Sequence, residues 1–193
     1  MAGDVDKLPA APDAAELKSR IIAFCQDNGA DLIGFAPVKR WDEVGEVPVD
    51  FRPQSLWAPA QTVIVLGMSM PLPIVETTPS ILHKELYDTC NHELDALAYK
   101  LVRFLNRLGC PAYFFTRDGF GSIKILKKRM MAAFGHVAAA RYAGLGTMGL
   151  SHNLLTPEFG PAPYQQLLPY TGMPVADNWD ICVWQMERQR RRF

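Results

Sequence analysis

FGHVAAARYAGLGTMGLSHNLLTPEFGP occupies residues 134–161, and three of the chain's fourteen glycines, Gly144, Gly146 and Gly149, fall within six residues of it. Glycine at that density weakens a regular element unless the backbone must turn sharply or something must approach it closely. Two readings follow. One is a connection between a helix and a strand; the other is bare backbone amides facing a bound group. The literal spacing satisfies GxGxxG, but a dinucleotide site needs a strand before the glycines and a helix after them. Here the order is reversed. Residues 136–143 (HVAAARYA) are alanine-rich and predict a helix before the glycines. Residues 151–156 are too short for a helix, because Pro157 lacks an N–H and holds Thr156 extended. No acidic residue behind a second strand lies about twenty positions on, where a ribose contact would need it. A nicotinamide dinucleotide site of the usual kind is excluded.

The same residues carry a family resemblance. AGLGTMG, then LLTPEFGP, resembles the AGLGxxG and PEFGP signature of epoxyqueuosine reductases, corrinoid-dependent reductive dehalogenases and their relatives. FGHVAAARY is similar to the histidine–alanine run of the dehalogenase-like branch. In the epoxyqueuosine branch the matching segment holds an acidic catalytic residue instead. Upstream, a helix followed by ADLIGFAP (30–37) resembles the start of that family. So does the series Tyr87, Asn91, Leu94, Asp95, Ala98, Leu101, Phe104, Leu105 and Gly109. The resemblance implies an α/β fold with a mixed sheet flanked by helices, a nitroreductase-like cobalamin-binding domain. It also implies an oxidoreductase whose relatives reduce cobalt through two iron–sulfur clusters.

Composition sets the frame around this. At 193 residues, 49% hydrophobic and 21% charged, the chain is an ordinary globular length and mix, able to bury a core without metals or disulfides. Formal net charge is zero, so nothing predicts electrostatic capture of nucleic acid or an anionic membrane. The basic end, 188–192 (RQRRR), reads as a solvated terminus. Cys25, Cys90, Cys110 and Cys182 are scattered singly, so neither zinc nor an iron–sulfur cluster finds local ligands. With no signal sequence and no long apolar run, a cytoplasmic location is expected.

Taken in order, residues 1–12 are polar and loose. Asp13 and Glu16 form a capping-box-like start to a helix that exits at Asn28–Gly29. Residues 30–37 and 60–68 predict strands, the second an uninterrupted apolar run that suits burial on both faces. Residues 38–59, with three prolines and two tryptophans, predict a loop. Residues 80–109 predict the longest helix, from an apolar stripe at steps of three and four that ends at a glycine. Residues 112–116 predict a third strand, 117–121 a loop and 122–131 a basic amphipathic helix.

The organisation predicted is a loose start (1–12), a cofactor-binding domain (13–161) and an atypical tail (162–193). The tail shows no clear periodicity and holds one cysteine where relatives cluster several. A lineage-specific replacement and a frameshift after Gly160 both fit that break. Apolar tail residues such as Leu167, Leu168, Trp179 and Trp184 are expected to pack on a second copy, giving a homo-oligomer.

For the site, the resemblance implies that Gly144, Gly146 and Gly149 let a broad corrin approach the backbone. Thr147, Ser151, His152 and Asn153 then supply hydrogen-bonding groups for its amide rim. Leu145, Met148 and Leu150 are candidates to lie on the macrocycle, with ordinary core packing the more general expectation for such residues. His136 is expected as a cofactor-contacting residue and not as an axial metal ligand, and no metal site is expected. No side chain is assigned a catalytic proton. Cobalamin is the cofactor expected, with FMN on a flavin-dependent nitroreductase-like enzyme as the alternative. A non-catalytic relic or interaction protein of the same fold is a further alternative. Electrons would come from a separate donor protein, since one tail thiol cannot hold a cluster. Neither nucleic acid nor membrane is expected as a partner.

Overall fold

A computed structural model describes residues 13–115, 134–150, 154–161 and 181–185. Two sheets and six α-helices are seen among them, the fourth helix, α4 (Leu72–Val75), being a single short turn. The larger sheet has the order β1 (Leu32–Pro37), β2 (Thr62–Gly67), β7 (Ile181–Gln185), β3 (Ala112–Phe114). Its three strand pairings among the described residues are all antiparallel, so the mixed sheet expected from the sequence is corrected. A smaller antiparallel sheet joins β4 (Thr147–Met148), β5 (Leu154–Thr156) and β6 (Gly160–Pro161).

Strand β2 divides the interior. Because side chains alternate across a strand, Val63 and Val65 face one core while Ile64 and Leu66 face the other. All four are fully buried, each such burial contributing about 1.5–3 kcal/mol. This accounts for the unbroken apolar run. On the Ile64 side lie α1 (Ala14–Asp27) and the long α5 (Ile81–Arg107), through Leu17, Ile21, Cys25, Leu94, Leu97, Leu101 and Leu105. On the Val63 side lie Trp41, Phe134 and α6 (His136–Tyr142), with Leu154 of β5.

Helix ends follow the sequence closely. Asp13 is extended at the start of α1, yet its side chain makes no capping hydrogen bond, so the capping box is corrected to a backbone start. The exit is a paired closure: the Gly29 N–H donates to Gln26 O at 3.1 Å and the Ala30 N–H to Cys25 O at 2.9 Å. Helix α5 closes the same way through Asn106–Cys110, and Ser80 caps its start by accepting from the His83 N–H at 3.1 Å.

Two regions differ from expectation. Residues 38–59 are not a bare loop: they hold α2 (Lys39–Val44), a 3-10 turn (Val49–Phe51) and α3 (Pro53–Leu56). These pieces are too short to print a periodicity on the sequence. The larger sheet also takes its third strand from beyond residue 161, where the tail was expected to begin. Residues 181–185 pair with β2 on one side and β3 on the other, and Trp184 stands opposite Val63 and Tyr113. A second copy is therefore not needed to occupy Trp184's backbone. The helix expected at 122–131 and the remaining tail residues lie outside the described residues. Among those described, no helix is long and apolar enough to cross a membrane.

Candidate functional site at the end of α6

Helix α6 runs into the glycine turn, and the fold itself explains each of the three glycines. Gly144 has φ +79 and ends the helix. Its N–H donates to Arg141 O at 3.0 Å and the Leu145 N–H to Ala140 O at 3.1 Å, the closure in which a left-handed residue is required. A Cβ on Gly146 would stand 2.0 Å from the Leu155 carbonyl oxygen, so β5 runs directly against that backbone. A Cβ on Gly149 would meet the Leu155 side chain at 3.3 Å. The sequence suggested that the turn is bare so that a bound group can approach. For Gly146 and Gly149 the close approach is made by the protein's own strand, while the Cβ side of Gly144 faces open space.

What fixes the turn is spread over distant sequence. Leu145 packs on β1 at Gly34, where a Cβ would sit 2.8 Å from Leu145 Cγ and 2.6 Å from Ala143 Cβ. The Arg40 guanidinium of α2 donates to the Tyr142 carbonyl oxygen at the end of α6. Such a cation satisfies an orphan carbonyl and matches the negative end of the helix. Arg141 pairs with Glu46 at 2.6 Å. Trp41 meets the Tyr142 ring edge-on, with centroids 4.8 Å apart. Arg52 holds this brace together, bonding Asp42 at 2.7 Å and the Val47 carbonyl at 2.9 Å. None of Gly34, Arg40 or Trp41 stood out as a site residue in the sequence. Gly34 sits in the ADLIGFAP stretch, whose glycine inside an apolar strand was the available signal.

The expected site residues divide as follows. Thr147 and Met148 form β4 and are exposed. Leu145 is partly buried against the core. His136 opens α6 beside the Phe134 ring, with centroids 5.7 Å apart, and burial pulls its imidazole down to about 4, so it is neutral at pH 7. Ser151, His152 and Asn153 lie outside the described residues. Three large apolar side chains of this stretch are exposed: Met148 at 45%, Leu150 at 105% and Phe159 at 43%. Among the described residues, no group of three or more His, Cys, Asp or Glu is placed to hold a metal ion. Among the described residues, Cys25, Cys90 and Cys110 form no disulfide.

No family model and no curated protein matches the chain. Solved structures do. A selenomethionine-labelled epoxyqueuosine reductase aligns with a TM-score of 0.51 at 14% identity over 89% of this chain. The fold is that of epoxyqueuosine reductase. A Bacillus subtilis epoxyqueuosine reductase, with an aspartate-bearing catalytic loop swung out of its active site, aligns at 0.50 and 15% identity over the same share. A third epoxyqueuosine reductase structure, holding an epoxyqueuosine-modified tRNA stem loop, gives 0.49 and 14%. In each case the chain spans 45% of the neighbour's length. The sequence resemblance to this oxidoreductase fold family is thereby supported in three dimensions.

A flat, largely apolar group rimmed with amides fits the residues present. Met148 and Leu150 are exposed apolar side chains, Thr147 is an exposed hydroxyl residue, and the Cβ side of Gly144 faces open space. Gly146 and Gly149 shape the turn from behind.

Proposed function

We propose that this chain is the cofactor-binding part of a corrinoid-dependent reductase resembling the epoxyqueuosine reductases and reductive dehalogenases. The observation that carries the reading is that three large apolar side chains of residues 148–159, Met148, Leu150 and Phe159, are exposed. They lie within the stretch whose sequence resembles the family's AGLGxxG and PEFGP signature. Exposed apolar side chains within one short stretch are the kind of surface that a largely apolar ligand would cover.

When bound, a corrinoid supplies a cobalt centre that takes up and delivers electrons. The chain's own residues hold it. Met148 and Leu150 cover apolar surface of the group, and Thr147 exchanges hydrogen bonds with its amide rim. Ser151, His152 and Asn153 are proposed for the same rim. His136, kept neutral by burial, offers a hydrogen bond without a charge. The clusters that relatives use have no grouped cysteines within these 193 residues, so electrons are proposed to arrive from a separate donor protein.

Spectroscopic titration tests the reading. Hydroxocobalamin added to purified protein should give a stoichiometric base-off spectrum, whereas FMN should stay free. Saturable FMN binding with no cobalamin response would instead support the flavin-dependent alternative. No response to either leaves the non-catalytic relic of the same fold.

A further inference from the structure

We infer that Arg40 is a positioning residue, holding the glycine turn in one conformation from the opposite end of the sequence. The statement about the cofactor surface rests on the reading just given; the statement about the turn does not. Three observations converge. The Arg40 guanidinium donates to the carbonyl of Tyr142, 102 residues away, two positions before the left-handed Gly144. Its neighbour Trp41, 1% exposed, closes edge-on against the Tyr142 ring. The Arg141–Glu46 pair ties the preceding residue of α6 to the same segment.

The need for such a brace follows from the helix itself. Helix α6 has seven residues, a length that propensity alone does not hold in water. Of its last carbonyls, those of Ala140 and Arg141 are taken by the Leu145 and Gly144 N–H groups, and that of Tyr142 accepts from Arg40. Gly144 to Gly149 then carry three glycines, whose backbone has the most freedom to lose. Residues 39–52 supply from outside what the helix lacks. Met148 and Leu150 are thereby presented at a fixed place, and a pre-set surface binds a rigid ligand without first being ordered.

Amide hydrogen exchange on the full chain, with Arg40→Met and Arg40→Lys, tests this. A hydrogen bond from a charged donor is worth about 1.5–3 kcal/mol, so Arg40→Met should raise exchange at 143–149 about tenfold or more. Exchange in α1 and α5 should stay as in the parent. Arg40→Lys keeps a charge and a donor, and should fall between. In the same variants, the affinity for hydroxocobalamin should fall with Arg40→Met and recover in part with Arg40→Lys. Unchanged exchange at the turn in folded Arg40→Met, or equal acceleration in all elements, would overturn the inference. If Arg40→Met does not fold, Arg40→Lys decides: turn exchange identical to the parent's would overturn it. Failure of the parent to bind hydroxocobalamin would sink the functional reading and leave the exchange result standing.

Discussion

Leu145 rests on β1 at the one position, Gly34, where that strand has no side chain. A Cβ there would come within 2.6–2.9 Å of Ala143 and Leu145, a separation at which something must move. Gly34→Ala is therefore expected to destabilise the fold by about 1–3 kcal/mol through overpacking. Leu145→Ala in the same chain should relieve part of that loss, since the two Leu145 contacts disappear. Urea unfolding of the two single variants and the double variant measures the coupling. Strict additivity would show that Gly34 and Leu145 do not meet.

Asn91 lies on α5 at 1% exposure, and among the described residues neither its Nδ2 nor its Oδ1 has a hydrogen-bond partner. A buried polar group left unpaired is expensive, by about 1–3 kcal/mol. Asn91→Leu, close in size, should therefore raise the thermal midpoint. Asn91→Asp should lower it, by placing a charge where there is no partner. A lower midpoint for the leucine variant would mean that the amide is satisfied after all.

His136 makes stability depend on pH. Its folded-state pKa, about 4, lies below the ordinary 6.5 because burial disfavours the cation. The unfolded chain therefore takes up the proton first. This contribution is complete above about pH 6.5, declines as pH falls towards about 4, and is then exhausted, amounting at most to the order of 3 kcal/mol. His136→Gln should flatten the dependence of the urea midpoint between those limits relative to the parent. Parallel curves for the two proteins would contradict the assignment.

Cys25 is fully buried on α1 and its thiol is pushed up to about 12 by that burial. The thiolate is the reactive form, so native protein should protect Cys25 from a maleimide reagent until it unfolds. Mass mapping of the labelled residues reads this directly. Rapid labelling of Cys25 in native conditions would show that α1 opens without global unfolding.

The sequence was most legible where one residue type repeats. The stripe from Leu94 to Leu105 fixed α5, and the Val63–Leu66 run fixed the central strand, because each pattern is dictated by burial on known faces. Gly29 and Gly109 as helix exits were equally readable. The brace at 39–52 was not. Arg40 earns its place only by reaching a carbonyl 102 residues on, and no local pattern encodes a contact of that span. Strand β7 escaped for another reason: five residues, Ile181–Gln185, are too few to show a period, although Ile181 and Val183 are β-branched. At the glycine turn, the two readings drawn from the sequence treated the three glycines together, and the fold separates them. Gly144 ends a helix, Gly146 admits the backbone of β5, and Gly149 lies against the Leu155 side chain. The close approach at Gly146 comes from a neighbouring strand, which local sequence does not announce.

The role proposed for the exposed apolar side chains can be read by calorimetry with hydroxocobalamin, on the parent chain and on one carrying Met148→Asp with Leu150→Asp. Both positions are exposed, so the double variant should fold as the parent does. The parent should bind one equivalent, and the double variant should lose at least about tenfold in affinity, as two apolar contacts become charged. A parent that binds nothing, or a double variant that binds as tightly as the parent, would contradict a cofactor seat at the end of α6.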